Sequence, residues 1–168
     1  MFFNSRRSSV LSKRGMVATS QPLAASAGLK MLMNGGNAID AAVGAAAVLA
    51  VVEPMSTGVG GDAFSLVWMA KEKKVYGLNA SGRAPRGASI EELVDKGFAE
   101  IPPNSPYSVS IPGTVDGWID ILDRYGTMPI SEVLEPAIHY AESGFPVSEL
   151  IAHQWADGME KLSQFQSG

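Results

Sequence analysis

A chain of 168 residues is the size of one domain and can bury roughly two-thirds of its unfolded surface, enough for a real core. With 46% hydrophobic and 18% charged residues it reads as a globular protein, which excludes the disordered and fibrous classes. A net charge of −4 argues against a nucleic-acid partner, and the absence of cysteine excludes disulfides, thiolate nucleophiles and thiolate metal sites.

Residues 1–14 form a locally basic extension carrying Arg6, Arg7, Lys13 and Arg14. A secretory signal needs an apolar stretch of about 7–15 residues before a small-residue cleavage site. None is present in this extension, so a cytoplasmic protein is expected. The run GMVATS (15–20) reads as an entering strand. Pro22 then opens a helix over 23–33, since its missing N–H costs nothing in a first turn. Ser26, Lys30 and Asn34 fall on one row four residues apart, so most of that helix faces protein. Gly35 and Gly36 end it.

Asn37 is placed to cap a second helix, with Asp40 three residues on to complete a capping box. From Ala41 to Val52 no side chain is polar, and Glu53 and Pro54 close the run. A helix apolar all round must be covered on every side. The apolar run 38–52 also falls short of the ~20 residues that cross a bilayer, so no membrane is expected as partner.

Gly58, Gly60 and Gly61 predict a turn into a strand over 63–70, apolar on both alternating faces as in a sheet covered on both sides. The polar run KEKK (71–74) is the turn of a hairpin and 75–81 its returning strand. Pro102, Pro103, Pro106 and Pro112 make 100–113 an extended connection. Thr114 is then placed to cap a helix whose apolar positions are Val115, Trp118, Ile119 and Leu122, stopped by Gly126. A further helix runs from about 131 to 143, bent or restarted at Pro136, with Val133, Leu134, Ala137, Ile138 and Ala141 as its buried stripe. The pattern is helical again from Ser148 onward, with no internal repeat or domain boundary.

Few residues offer chemistry. His139 lies opposite its helix's apolar stripe near Glu135 and Glu142, a solvated cluster, and His153 has no ligand pattern around it, so no metal site is expected. The stretch GVGGDAF is neither a nucleophile elbow nor a phosphate loop, and its glycines read as close backbone packing. The stretch NASGRAPRGAS (79–89) sets Arg83 and Arg86 around Pro85. Pro85 biases Ala84 towards an extended conformation, so if the strand continues through 79–85, Ser81 and Arg83 share a face. A planar guanidinium beside a hydroxyl suits a carboxylate. A surface ion pair of Arg83 with Glu91 or Glu92 is the alternative.

Taken together, GMVATSQPLAASAGLKMLMNGGNAIDAAVGAAAVLAVVEPMSTGVGGDAF, then GRAP, SVSIPGTVDGW and RYGTMPISEVLEPAIHYAESGFPVS, resemble the N-terminal part of the large subunit of the gamma-glutamyltransferase (gamma-glutamyl transpeptidase) family. The resemblance runs from about Arg14 onward and lies in the order and spacing of the blocks. It implies an α+β, N-terminal-nucleophile hydrolase fold, a four-layer αββα sandwich of which residues 15–168 are an N-terminal portion. It also implies an enzyme made as a precursor that cuts itself into large and small subunits. The threonine freed at the start of the small subunit is the nucleophile and, through its own amine, its own base. It attacks a gamma-glutamyl amide of the glutathione type and passes the acyl group to water or an amine.

None of Thr19, Thr57, Thr114 or Thr127 lies in a matching context, so no catalytic residue is expected in this chain, and the chain alone is expected to be inactive. The implied partners are a small gamma-glutamyl or glutaryl-type substrate, the remainder of the large subunit and the small subunit. No cofactor or metal is implied. In the family an arginine three residues before the Ala-Pro alanine grips the substrate's alpha-carboxylate, the position of Ser81 here, whereas Arg83 directly precedes Ala84. Two residues along a strand keep the same face and move the charge by roughly 6–7 Å. Arg83 and Ser81 are therefore the candidate substrate-binding residues, with Arg86 awaiting a structural or surface partner. A glutaryl-type acylase of the same fold and a non-catalytic binding or scaffold homologue are the other readings.

Overall fold

Gln21 and Asn37 start the two helices on which the rest of the molecule is built. In the computed structural model, which describes residues 8–102 and 105–163, the Gln21 side chain accepts hydrogen bonds from the N–H groups of Leu23 and Ala24 at the head of α1 (Pro22–Met33). Gly35, at φ +94, turns the chain out of α1 in the left-handed region open to glycine. Asn37 then caps α2 (Ala38–Val52) through the expected capping box with Asp40. The expected strand at 15–20 does not form. Val17 packs on Gly28 of α1 and on the apolar core.

The all-apolar α2 is covered by α1, by α4 (Thr114–Tyr125) and by α5 (Ile130–Ser143). Its Val48 and Val52 join Met31 of α1, Trp118 and Ile121 of α4, and Val133 of α5 in one buried cluster. Pro136 is accommodated inside α5, and the exposed Lys30–Glu135 ion pair (2.7 Å) links α1 to α5 at the rim, where such pairs add little stability.

The hairpin forms as expected. β1 (Ala63–Met69) and β2 (Lys74–Ala80) pair antiparallel in register from Ala63 opposite Ala80 to Met69 opposite Lys74. Val67, Met69, Tyr76 and Leu78 meet the helical core. The opposite face is open: Phe64 is 66% exposed, Leu66 82% and Trp68 59%. The described residues supply a layer on one side of the sheet only.

Three further elements complete the order: α3 (Ile90–Asp95), capped by Ser89 and not expected from the sequence, a 3-10 turn at Pro106–Ser108, and α6 (Glu149–Leu162). Thr114 is the first residue of α4 and not its cap, which is Gly113. The helix buries Thr114, Gly117, Trp118, Ile121 and Leu122, leaving Val115 40% and Ile119 42% exposed. In α5 Val133, Pro136 and Ala137 are buried while Ile138 and Ala141 stay exposed. Among the described residues no helix is long and apolar enough to cross a membrane.

Candidate functional site

β2 ends at Ala80, and the turn beyond it decides where Arg83 stands. Gly82 has φ +74, a left-handed turn that breaks the alternation of a strand. The shared face expected for Ser81 and Arg83 on a continuing strand is therefore lost. Ser81 is half-buried, with its N–H donated to Asn79 Oδ1 at 3.0 Å. Arg83 is exposed, and its backbone is held in an isolated antiparallel bridge in which the Ile111 N–H donates to the Arg83 carbonyl at 2.9 Å. Among the described residues its guanidinium has no hydrogen-bond or ion-pair partner. The alternative pairing with Glu91 or Glu92 is not made; Glu92 accepts from Lys96 instead. Arg86 is likewise exposed, in a turn where the Ala88 N–H donates to the Pro85 carbonyl.

Three loops meet beside this arginine. The N–H groups of Gly113 and Thr114 both donate to the Gly61 carbonyl at 3.1 Å, and the Ser110 hydroxyl donates to Asp62 Oδ1 at 3.3 Å. The 58–62 turn is thereby tied to the head of α4. A cavity of about 1140 Å³ runs between α2 and β1, lined near this junction by Gly58, Gly60, Gly61 and Thr114. Two enclosed hydroxyls on its wall, Ser65 Oγ and Thr114 Oγ1, have no hydrogen-bond partner among the described residues. Neither Ser81 nor Arg83 lines this cavity. The glycines of GVGGDAF and the PGT turn stand apart in the sequence; their junction brings together positions about fifty residues apart and has no local signature.

Asp40 sits at the opposite end of α4. Burial pushes its carboxyl up, but hydrogen bonds from the Thr127 hydroxyl and from the N–H groups of Asn37, Thr127 and Met128 outweigh this and hold it below the ordinary carboxylate range. It is a structural anchor between α2 and the turn joining α4 to α5. His139 is exposed beside the Tyr140 ring, and His153 faces Asp157 one turn on at 3.8 Å. No cluster of His, Asp and Glu suited to a metal occurs among the described residues.

Comparison with known proteins decides the family. The gamma-glutamyltranspeptidase family profile matches residues 24–167. The chain belongs to the gamma-glutamyltranspeptidase family. The glutathione hydrolase proenzyme of Bacillus subtilis (strain 168) is 40% identical to this family member over 156 residues, which are 90% of the present chain and 27% of that relative. The chain thus spans about a quarter of that relative's length. Among solved structures, the Helicobacter pylori gamma-glutamyltranspeptidase superposes with a TM-score of 0.86 at 34% identity, covering 95% of this chain and 46% of that one. The cephalosporin acylase of Bacillus halodurans gives a TM-score of 0.82 at 42% identity, covering 98% and 32%. The fold is the α+β, N-terminal-nucleophile hydrolase fold of the gamma-glutamyltranspeptidases, in its N-terminal portion.

Proposed function

We propose that this chain is the N-terminal part of the large subunit of a self-processing gamma-glutamyltransferase-like enzyme. The complete protein cleaves gamma-glutamyl amides of the glutathione type through an acyl-enzyme, and the nucleophilic threonine lies outside these residues. The observation that carries the reading is Arg83: a guanidinium exposed and, among the described residues, without a partner, on a backbone fixed by the Ile111 bridge. A fixed planar fork of donors recognises a carboxylate through paired hydrogen bonds, so Arg83 binds and orients the substrate's free carboxylate while the reacting amide is presented to the nucleophile. The open face of Phe64, Leu66 and Trp68 is the surface on which the remainder of the protein packs.

The test is Arg83→Ala in the complete, processed protein. Loss of a charge-assisted pair raises KM for a gamma-glutamyl anilide about 10- to 100-fold with kcat little changed. An unchanged KM removes Arg83 from the site.

The 42% identity to a cephalosporin acylase favours a second reading, hydrolysis of glutaryl-type amides on the same fold. Gamma-glutamyl and glutaryl groups both end in a carboxylate and differ in the alpha-amino group, so Arg83 serves either. The ratio of kcat/KM for a glutaryl anilide and a gamma-glutamyl anilide decides between them: a site that pairs the ammonium discards the glutaryl substrate, and one that does not accepts it.

A further inference from the structure

The segments 80–83 and 110–114 cross at a separation that only glycine permits. A Cβ on Gly82 would collide with the Ile111 carbonyl oxygen, and one on Gly113 with the Ala80 carbonyl oxygen and the Gly82 nitrogen. One turn into α4, a Cβ on Gly117 would strike the Ala80 side chain. Gly82 is left-handed as well, so an L-residue there is strained whatever space is made. The neighbouring glycines of the 58–62 turn are different: nothing lies within 4 Å of a Cβ built on Gly58 or Gly60. Of these two adjoining segments, the crossing that carries Arg83 makes the close approach and the 58–62 turn does not.

The crossing has a direct geometric output. Arg83 is the residue after the left-handed Gly82, so the direction in which it leaves β2 is set by the Gly82 turn. Its height is set by the hydrogen bond from Ile111 N–H to its carbonyl at 2.9 Å. Gly113 closes the crossing from the α4 side, and its own N–H is held on the Gly61 carbonyl at 3.1 Å, so the clamp is anchored to a third segment.

We propose that Gly82 and Gly113 are positioning residues for Arg83, forming a two-glycine clamp that sets where its guanidinium meets the substrate carboxylate. This rests on the reading of Arg83 as the carboxylate-binding group. The clamp touches no reacting atom; it acts through the placement of one charge, and its signature is confined to substrate affinity and to enzymes that still carry Arg83.

The experiment is a set of double-mutant cycles in the complete, processed protein with a chromogenic gamma-glutamyl anilide. Gly113→Ala and Gly82→Ala are expected to raise KM about tenfold with kcat held within about twofold, and to add nothing in an Arg83→Ala background. Ile111→Pro is the milder companion, since it removes the N–H that holds the Arg83 carbonyl while the Ile111 side chain is already exposed. It is expected to raise KM in the same Arg83-dependent way, and it is the deciding variant if the glycine variants fail to fold. A fall in kcat equal to the rise in KM, or the same KM penalty with and without Arg83, overturns the clamp as a positioning device. An unchanged KM in Arg83→Ala alone overturns the underlying reading of the arginine. A KM raised by Arg83→Ala but not by any clamp variant overturns only the clamp.

Discussion

Asp40 is completely enclosed yet ionised, because its oxygens accept from Thr127 Oγ1 at 2.6 Å, Asn37 N at 2.7 Å, Thr127 N at 3.0 Å and Met128 N at 3.2 Å. Its pKa is lower folded than unfolded, so the group stabilises the fold above the ordinary carboxylate value. That contribution is lost as pH falls through the folded value. Asp40→Asn is expected to weaken the turn at 126–128 by about 1.5–3 kcal/mol and to remove this acid dependence. The check is hydrogen exchange: the Thr127 and Met128 amides lose protection in the variant, and unchanged protection would assign the order of that turn to other contacts. The capping half of this role is readable from Asn37 and Asp40 three residues apart. The Thr127 and Met128 half is not, since no local pattern joins positions so far apart in the chain. Arg83 is readable as a candidate in the same limited sense: its type and its proline are in view, but its direction depends on the φ of Gly82, which strand alternation does not anticipate.

At the scale of elements, α1 and α2 pack closely because Gly28 presents no side chain. A Cβ there would sit 2.9 Å from both the Ala41 carbonyl and Val17. Gly28→Leu is expected to force the helices apart at a cost of about 1–3 kcal/mol, read as a lowered midpoint of chemical unfolding with an unaltered slope. An unaltered midpoint would mean that the pair has slack. Caps and breakers place α1, α2 and the end of α4 correctly, because Pro22, Asn37, Pro54 and Gly126 act locally. The buried face of α4 differs from the expected one. Val115 and Ile119 are as apolar as Ile121, and periodicity marks an apolar face without saying whether this stretch of chain or another covers it. The short α3 does carry a local signature, a Ser89 cap followed by Ile90, Leu93 and Val94 at helical spacing, but six residues that bury no side chain are too short for periodicity to mark a helix.

For the molecule as a whole, the open side of the hairpin makes one substitution act in opposite directions. Leu66→Lys replaces the most exposed of the three outward side chains of β1. In the isolated chain it breaks an apolar patch and is expected to reduce aggregation in light scattering. If the remainder of the complete protein packs on this face as proposed, the same charge disrupts that packing, and maturation into two subunits, followed on a denaturing gel, is expected to fail. Unimpaired maturation would place the remainder of the protein elsewhere. Asp40 also imposes an order in time. The Asp40 to Thr127 bond spans 87 positions, and ribosomes add about 5–20 residues per second. For roughly 4–17 s during synthesis, the nascent α2 therefore waits with the Asp40 carboxylate held only by its local Asn37 cap and without the α4 and α5 flanks that later enclose it. During that interval the apolar α2 has only α1 to cover it.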